Sequence, residues 1–162
     1  MDTTRSTGTR RRGFTLLELI IVVTMMGALA ALSLGKSSTI LAGWRVTRAA
    51  QAFSEELQQA FAIVGRNRRP VVIEFKTDSM TLYIRGRTGT VYRRRHFGKD
   101  SEYHLLSTDM DFSRLTLEVY PPGLAADSLS VVMARPGTSR RVRMLRGGLV
   151  QICSSGAKNK CD

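Results

Sequence analysis

Cysteine is scarce in this chain: of 162 residues only Cys153 and Cys161 are cysteine, both within the last ten positions. That excludes a disulfide-dense scaffold, and the spacing fits neither the short pairs of a zinc site nor a redox Cys-x-x-Cys pair. Proline is also sparse. There are four, and none lies between residues 14 and 69, so nothing there forbids a continuous helix. Histidine occurs twice, at His96 and His104, with Asp100 and Glu102 between them. A metal or acid–base site on that segment is conceivable, but a solvated loop is the commoner use. No nucleophile motif, phosphate-binding loop, metal-ligand spacing or internal repeat appears, so the chain is read as a non-enzyme without a cofactor or metal. Acidic residues are few, 13 against 25 basic ones, for a net charge of +12. Such a surface can meet nucleic acid, acidic proteins or anionic lipid, although solubility and repulsion between copies are its commonest uses.

What the chain does have is a long apolar run. Phe14 to Leu34 covers 21 residues with one charge, Glu18, and follows a leader containing Arg5, Arg10, Arg11 and Arg12. About 20 apolar residues suffice to cross a bilayer. A carboxylate inside such a run costs roughly 2.5–3.5 kcal/mol on insertion scales and calls for a partner. Two readings leave Glu18 unexplained. One is a secretory signal cut near Ala28-Leu29-Ala30. The other is a plain signal anchor whose arginines stay in the cytoplasm. On an exported chain, the even cysteine count suggests a Cys153–Cys161 disulfide, worth about 2.5 kcal/mol on the chain-entropy model.

The stretch Gly13-Phe14-Thr15-Leu16-Leu17-Glu18, preceded by arginines, resembles the class III signal of type IV pilins and type II secretion pseudopilins. The resemblance implies that a prepilin peptidase cuts between Gly13 and Phe14 and that the new amino terminus, Phe14, is N-methylated. It also implies that Glu18 is the glutamate that such subunits use in assembly. The physics agrees: cleavage creates an ammonium at Phe14, and Glu18 of a neighbouring copy can neutralise it in a medium of low dielectric. Many major pilins carry a proline in this segment; here Gly27 and Gly35 are the only weak points.

Beyond the run, Trp44, Ala49, Phe53, Leu57, Ala60, Phe61 and Val64 repeat at helical spacing, with Ser54, Glu55, Glu56, Gln58 and Gln59 assigned to the other face. Gly65 is the expected helix stop, and Pro70 forbids continuation. The period then switches to two. Val71–Lys76 and Met80–Arg85 predict a hairpin, followed by a strand at Thr90–Phe97 and a loop at Gly98–Glu102. Further strands are predicted at Arg114–Tyr120, Ser128–Ala134, Arg140–Leu145 and Leu149–Cys153, with turns at Pro121-Pro122-Gly123 and Pro136-Gly137. The expected fold class is α+β: a long amino-terminal transmembrane and amphipathic helix packed on an antiparallel β-sheet head of seven or eight strands. The corresponding divisions are a cleaved leader (1–13), a transmembrane or filament-core helix (14–35), its amphipathic continuation (36–65) and a periplasmic head (70–162).

This layout is similar to that of the minor pseudopilin called H of type II secretion, and to related minor pilins that take up DNA. The partners implied are the prepilin peptidase, other major and minor pseudopilins, an inner-membrane assembly platform and membrane lipid. The implied location is the inner membrane, single-pass, with the head in the periplasm. Two arginine groups make nucleic acid the competing partner, with Arg93, Arg95, Arg141, Arg143 and Arg146 as the candidate contacts. DNA-uptake members of the family carry a glycine-arginine-any-arginine motif before the first carboxyl-terminal cysteine. Here Gly148-Leu149-Val150-Gln151 precedes Cys153, so both arginines are replaced.

Overall fold

A computed structural model describes the backbone of residues 14–154, and the side chains of all of these except residues 32–38. The chain divides into two compact units between Ser38 and Thr39. One helix, α1, runs Leu16–Asn67.

In the first unit the described part of α1 is apolar on every side. Eleven large apolar side chains from Phe14 to Leu29 are exposed, between 45% and 78%. An apolar surface of this size marks contact with protein or lipid rather than with water. Among the described residues no helix is long and apolar enough to cross a membrane. The apolar stretch whose side chains are described, Leu16–Ala31, is shorter than the roughly 20 residues a span requires.

In the second unit α1 lies against two antiparallel sheets. The first has the order β3-β2-β1-β5-β6, built from β1 (Val71–Lys76), β2 (Thr81–Gly86), β3 (Val91–His96), β5 (Thr116–Tyr120) and β6 (Leu124–Ala125). The second, in the order β4-β7-β8-β9, joins β4 (Met110–Phe112), β7 (Leu129–Arg135), β8 (Thr138–Met144) and β9 (Val150–Ser154). Alternation decides the faces. Val71, Ile73 and Phe75 of β1 are buried, as are Leu129, Val131 and Met133 of β7 and Val142 and Met144 of β8. Residues two apart on a strand share a face, so each strand gives one side to the core.

The helix supplies Val46, Ala49, Phe53, Leu57, Ala60 and Val64 to that core, all at most 1% exposed. Small alanines let the sheets approach, and Phe53 fills the centre. Its ring lies 5.7 Å from that of Phe97 and 6.0 Å from that of Phe112, while Phe75 and Phe112 stack at 4.3 Å. These rings come from α1, from both sheets and from the segment after β3, so the aromatic cluster fastens all the layers together. Aromatic pairs in such geometries add about 0.5–1.5 kcal/mol each beyond their buried area.

Several expectations need correction. Gly65 is not the stop: α1 continues to Asn67, and Arg68 takes the left-handed conformation at φ 50°, its N–H bonding Val64 O at 2.8 Å. Two short strands, β4 and β6, lie where none was expected. Trp44, placed in the core stripe by spacing, is 66% exposed, whereas Ser54 and Glu56, placed on the wet face, are 5% and 2% exposed. A helix covered by two sheets buries a wider arc than a one-sided stripe predicts.

Candidate functional site

The amino-terminal motif begins at the edge of the described residues. Gly13 and the rest of the leader lie outside them, as does Cys161. Phe14 and Thr15 precede the helix and are not helical themselves. Thr15 Oγ1 accepts the backbone N–H of Glu18 at 3.3 Å, and Thr15 O accepts the N–H of Leu19 at 3.2 Å. Thr15 is therefore the N-cap of α1, satisfying one of the donors that a helix start leaves without a partner. Thr15 and Glu18 also stand at the spacing of a capping box, and the Glu18 carboxylate sits in the first turn, where the helix dipole favours negative charge. The sequence reading missed this cap, although the Thr-x-x-Glu signal was plain. Further along, the Thr24 hydroxyl donates to the carbonyl oxygens of Ile20 and Ile21, each at 2.9 Å, so it leaves no orphan donor among the apolar side chains.

The arginines named as nucleic-acid candidates do not form one patch. Arg93 and Arg95 stand opposite Ile84 and Leu82, on the face of the first sheet that meets α1. Arg93 grips Glu56 with both arms of its guanidinium, Nε to Oε2 at 2.8 Å and a terminal nitrogen to Oε1 at 2.9 Å. Arg95 Nε donates to Oε1 at 2.7 Å, and its terminal nitrogen reaches the Tyr103 hydroxyl at 3.0 Å. Burial alone would raise the Glu56 carboxyl, but the hydrogen bonds from Arg93 and Arg95 and their charges outweigh it and hold the group below the ordinary carboxylate range. Desolvation depresses Arg95, yet its bonds to Tyr103 and Glu56 leave it raised, and the Glu56 contact raises Arg93 likewise.

Arg141 and Arg143 project from the other side of the second sheet, away from buried Val142 and Met144. They flank a groove of about 360 Å³ with Ser113, Ser128 and Ser130. Arg146 pairs with Asp127 at 3.2 Å, sharing it with Arg114. Asp127 is held low by the Ser128 backbone N–H and by Arg146. His96 Nδ1 lies 3.2 Å from Thr81 Oγ1, while His104 offers its backbone carbonyl to Arg135. Among the described residues no group of three or more His, Cys, Asp or Glu is placed to hold a metal ion. No described cysteine is free.

Residues 8–34 match the prokaryotic N-terminal methylation motif. In fold, the chain is similar to the type IV minor pilin FimU of Pseudomonas aeruginosa. One crystal form gives a TM-score of 0.56 at 16% identity, covering 71% of this chain and 92% of that one. The chain carries the methylation motif and the fold of the type IV pilin and pseudopilin superfamily. A second crystal form of FimU gives 0.55 at 16% identity over 70% and 97% of the two chains. The minor pseudopilin EpsH of the type 2 secretion system of Vibrio cholerae gives 0.52 at 14%, over 70% of this chain and 99% of that one. No curated protein sequence matches. Within the superfamily the motif points to processing by a prepilin peptidase and to other pilin or pseudopilin subunits as partners.

Proposed function

We propose that this chain is a minor pseudopilin of a type II protein secretion system. After cleavage between Gly13 and Phe14 it would enter a short periplasmic filament through its amino-terminal helix, the head meeting other subunits. The observation that carries this reading is the methylation motif over residues 8–34, continued by a helix whose apolar side chains are exposed on every side. That surface needs lipid before assembly and neighbouring helices after it. The inner membrane is the first environment and the assembly platform the route between the two. Glu18, capped into the first turn by Thr15, is positioned one turn from Phe14. There its carboxylate can neutralise the Phe14 amine of an adjacent copy and set the axial register.

A Cys153–Cys161 disulfide closes the tail in this reading; peptide mapping without reduction tests it. Incorporation into a type IV pilus as a minor pilin is the second reading, favoured by the likeness to FimU. A DNA-receptor role draws less support, because Arg93 and Arg95 are engaged by Glu56.

Mass spectrometry of the protein recovered from membranes tests the proposal. An N-methylated Phe14 terminus is the expected result, and an intact leader or a start near Ala31 refutes both filament readings. Glu18→Ala is expected to leave cleavage intact while abolishing incorporation into filaments; normal incorporation would remove the charge-pairing role. Crosslinking in cells to secretion or pilus components separates the two systems.

A further inference from the structure

We propose that a groove on the outer face of the second sheet, walled by Arg141 and Arg143 of β8, binds an extended acidic segment of a partner protein, one arginine to each of two carboxylates two residues apart. The groove belongs to the head alone, so its occupancy does not depend on which filament the chain enters.

Serines make the groove. Leu129 and Val131 turn into the core, so Ser128, just before β7, and Ser130 within it face outward with short side chains. Arg143 stands directly opposite Ser130, and Arg141 opposite Val132. Long arginines beside short serines leave a trough of about 360 Å³, with Ser113 and Arg114 along its other side. Ser113 Oγ accepts the Ser130 N–H at 2.9 Å, which leaves its own proton to donate. The hydroxyls of Ser128 and Ser130 likewise donate to no acceptor among the described residues. Among the described residues no carboxylate lines the groove, and Arg141 has no ion-pair partner. Cations and hydroxyl donors therefore converge on a space that holds no anion of the described chain.

Spacing selects the carboxylates. Arg141 and Arg143 are two strand steps apart, about 6.6–6.8 Å. An extended peptide sets every second residue on one side at that same spacing. Guanidinium forks hold carboxylates through paired hydrogen bonds, and the serine hydroxyls can donate to the lone pairs left over. Nucleic acid fits less well. No aromatic ring lines the groove, so bases lack a stacking platform. Asp111 stands in the row that runs through Val132 to Arg141, and Asp127 precedes Ser128. A backbone with a charge on every nucleotide must pass these carboxylates and is repelled, whereas a segment with only two acids is not.

The full chain in detergent micelles is titrated into a dye-labelled peptide, Ser-Thr-Glu-Val-Glu-Thr-Ser, and anisotropy is read at low and high salt. Salt-sensitive binding is the expected result, weakened about tenfold by Arg141→Gln/Arg143→Gln or by glutamine in place of both peptide glutamates. Placing the two glutamates side by side, on opposite faces of the strand, should weaken it similarly. Ser128→Asp keeps both arginines and puts a carboxylate in the groove; it too should weaken binding, which guards against a folding defect in the double variant. Arg45→Gln/Arg48→Gln removes the same two charges from α1 and should leave binding unchanged. Equal binding of the glutamine peptide, or equal loss in the α1 variant, overturns the proposal, because net charge alone would then explain the affinity. Tighter binding of oligothymidylate, lost with Arg141→Gln/Arg143→Gln, overturns it in favour of nucleic acid. Self-association lost with that variant overturns it in favour of a second copy, whose Asp100 and Glu102 are exposed at the same two-residue spacing.

Discussion

Removing the Glu56 carboxylate tests how the head is held together. Glu56 is 2% exposed and accepts three charge-assisted hydrogen bonds of 2.7–2.9 Å from two arginines on a sheet edge. Such bonds contribute about 1.5–3 kcal/mol each before the cost of drying the carboxylate is subtracted. Taking one partner from a buried pair costs about 3–5 kcal/mol when the other charge stays dry. Here the Arg93 and Arg95 side chains are 42% and 30% exposed, so both rehydrate in part and water already screens Arg93. The low end applies, and Glu56→Ala is expected to destabilise the head by about 3 kcal/mol. Urea unfolding followed by the near-ultraviolet signal measures this, and a change below about 0.5 kcal/mol at unaltered slope would refute the clamp.

The same group sets a pH dependence. Because its folded pKa is depressed, the unfolded chain binds the proton more readily on acidification. Stability from this group is fully present above the unfolded value of 4.5 and is lost as pH falls through the lower folded value. Glu56→Gln, which keeps the volume, should flatten the acid limb of the stability profile below about pH 5 relative to the parent. An unchanged limb would show that Glu56 is not what acid unfolding protonates.

Two further outcomes follow from the geometry. Thr15→Val keeps the shape but loses the acceptor, costing about 1 kcal/mol of helix start. Hydrogen exchange at the Glu18 amide should speed about fivefold, with Thr15→Ser restoring protection; equal exchange in all three removes the cap. Gly148→Ala meets a turn at φ 84°, where a Cβ would lie 2.9 Å from the Phe61 ring. It should lower stability by about 1–3 kcal/mol in thermal unfolding, combining left-handed strain with overpacking.

Much of this was legible because single signals carried it. Pro70 and the switch from a three-to-four-residue period to alternation marked the end of the helix and the hairpin after it. Val71–Lys76 was placed to the residue. The methylation motif needed only contiguous residues. What failed to read were features that depend on a second element. Glu56 looks like a wet-face residue until β3 arrives with Arg93 and Arg95, and no local pattern announces that meeting. Ser54 is buried for the same reason, on a helix covered by two sheets. Trp44 looks like core by its spacing, yet it is 66% exposed. β4, three residues long, has too little alternation to distinguish it from a loop.

The Glu56 clamp also changes how the basic composition is understood. β3 is an edge strand, and its run Arg93-Arg94-Arg95-His96 resembles a nucleic-acid patch when read as a string. Alternation splits it. Arg93 and Arg95 turn inward, where Glu56 neutralises part of their charge and ties the edge to α1, and exposed Arg94 faces outward. Inward-pointing and outward charges on an edge strand are what discourage another chain from pairing with it. In the filament proposed above, a blocked edge would exclude the wrong contacts. The arginines of β3 are thereby accounted for without a phosphate, and the charge left for partners lies on other faces of the head and on the exposed side of α1 at Arg45 and Arg48.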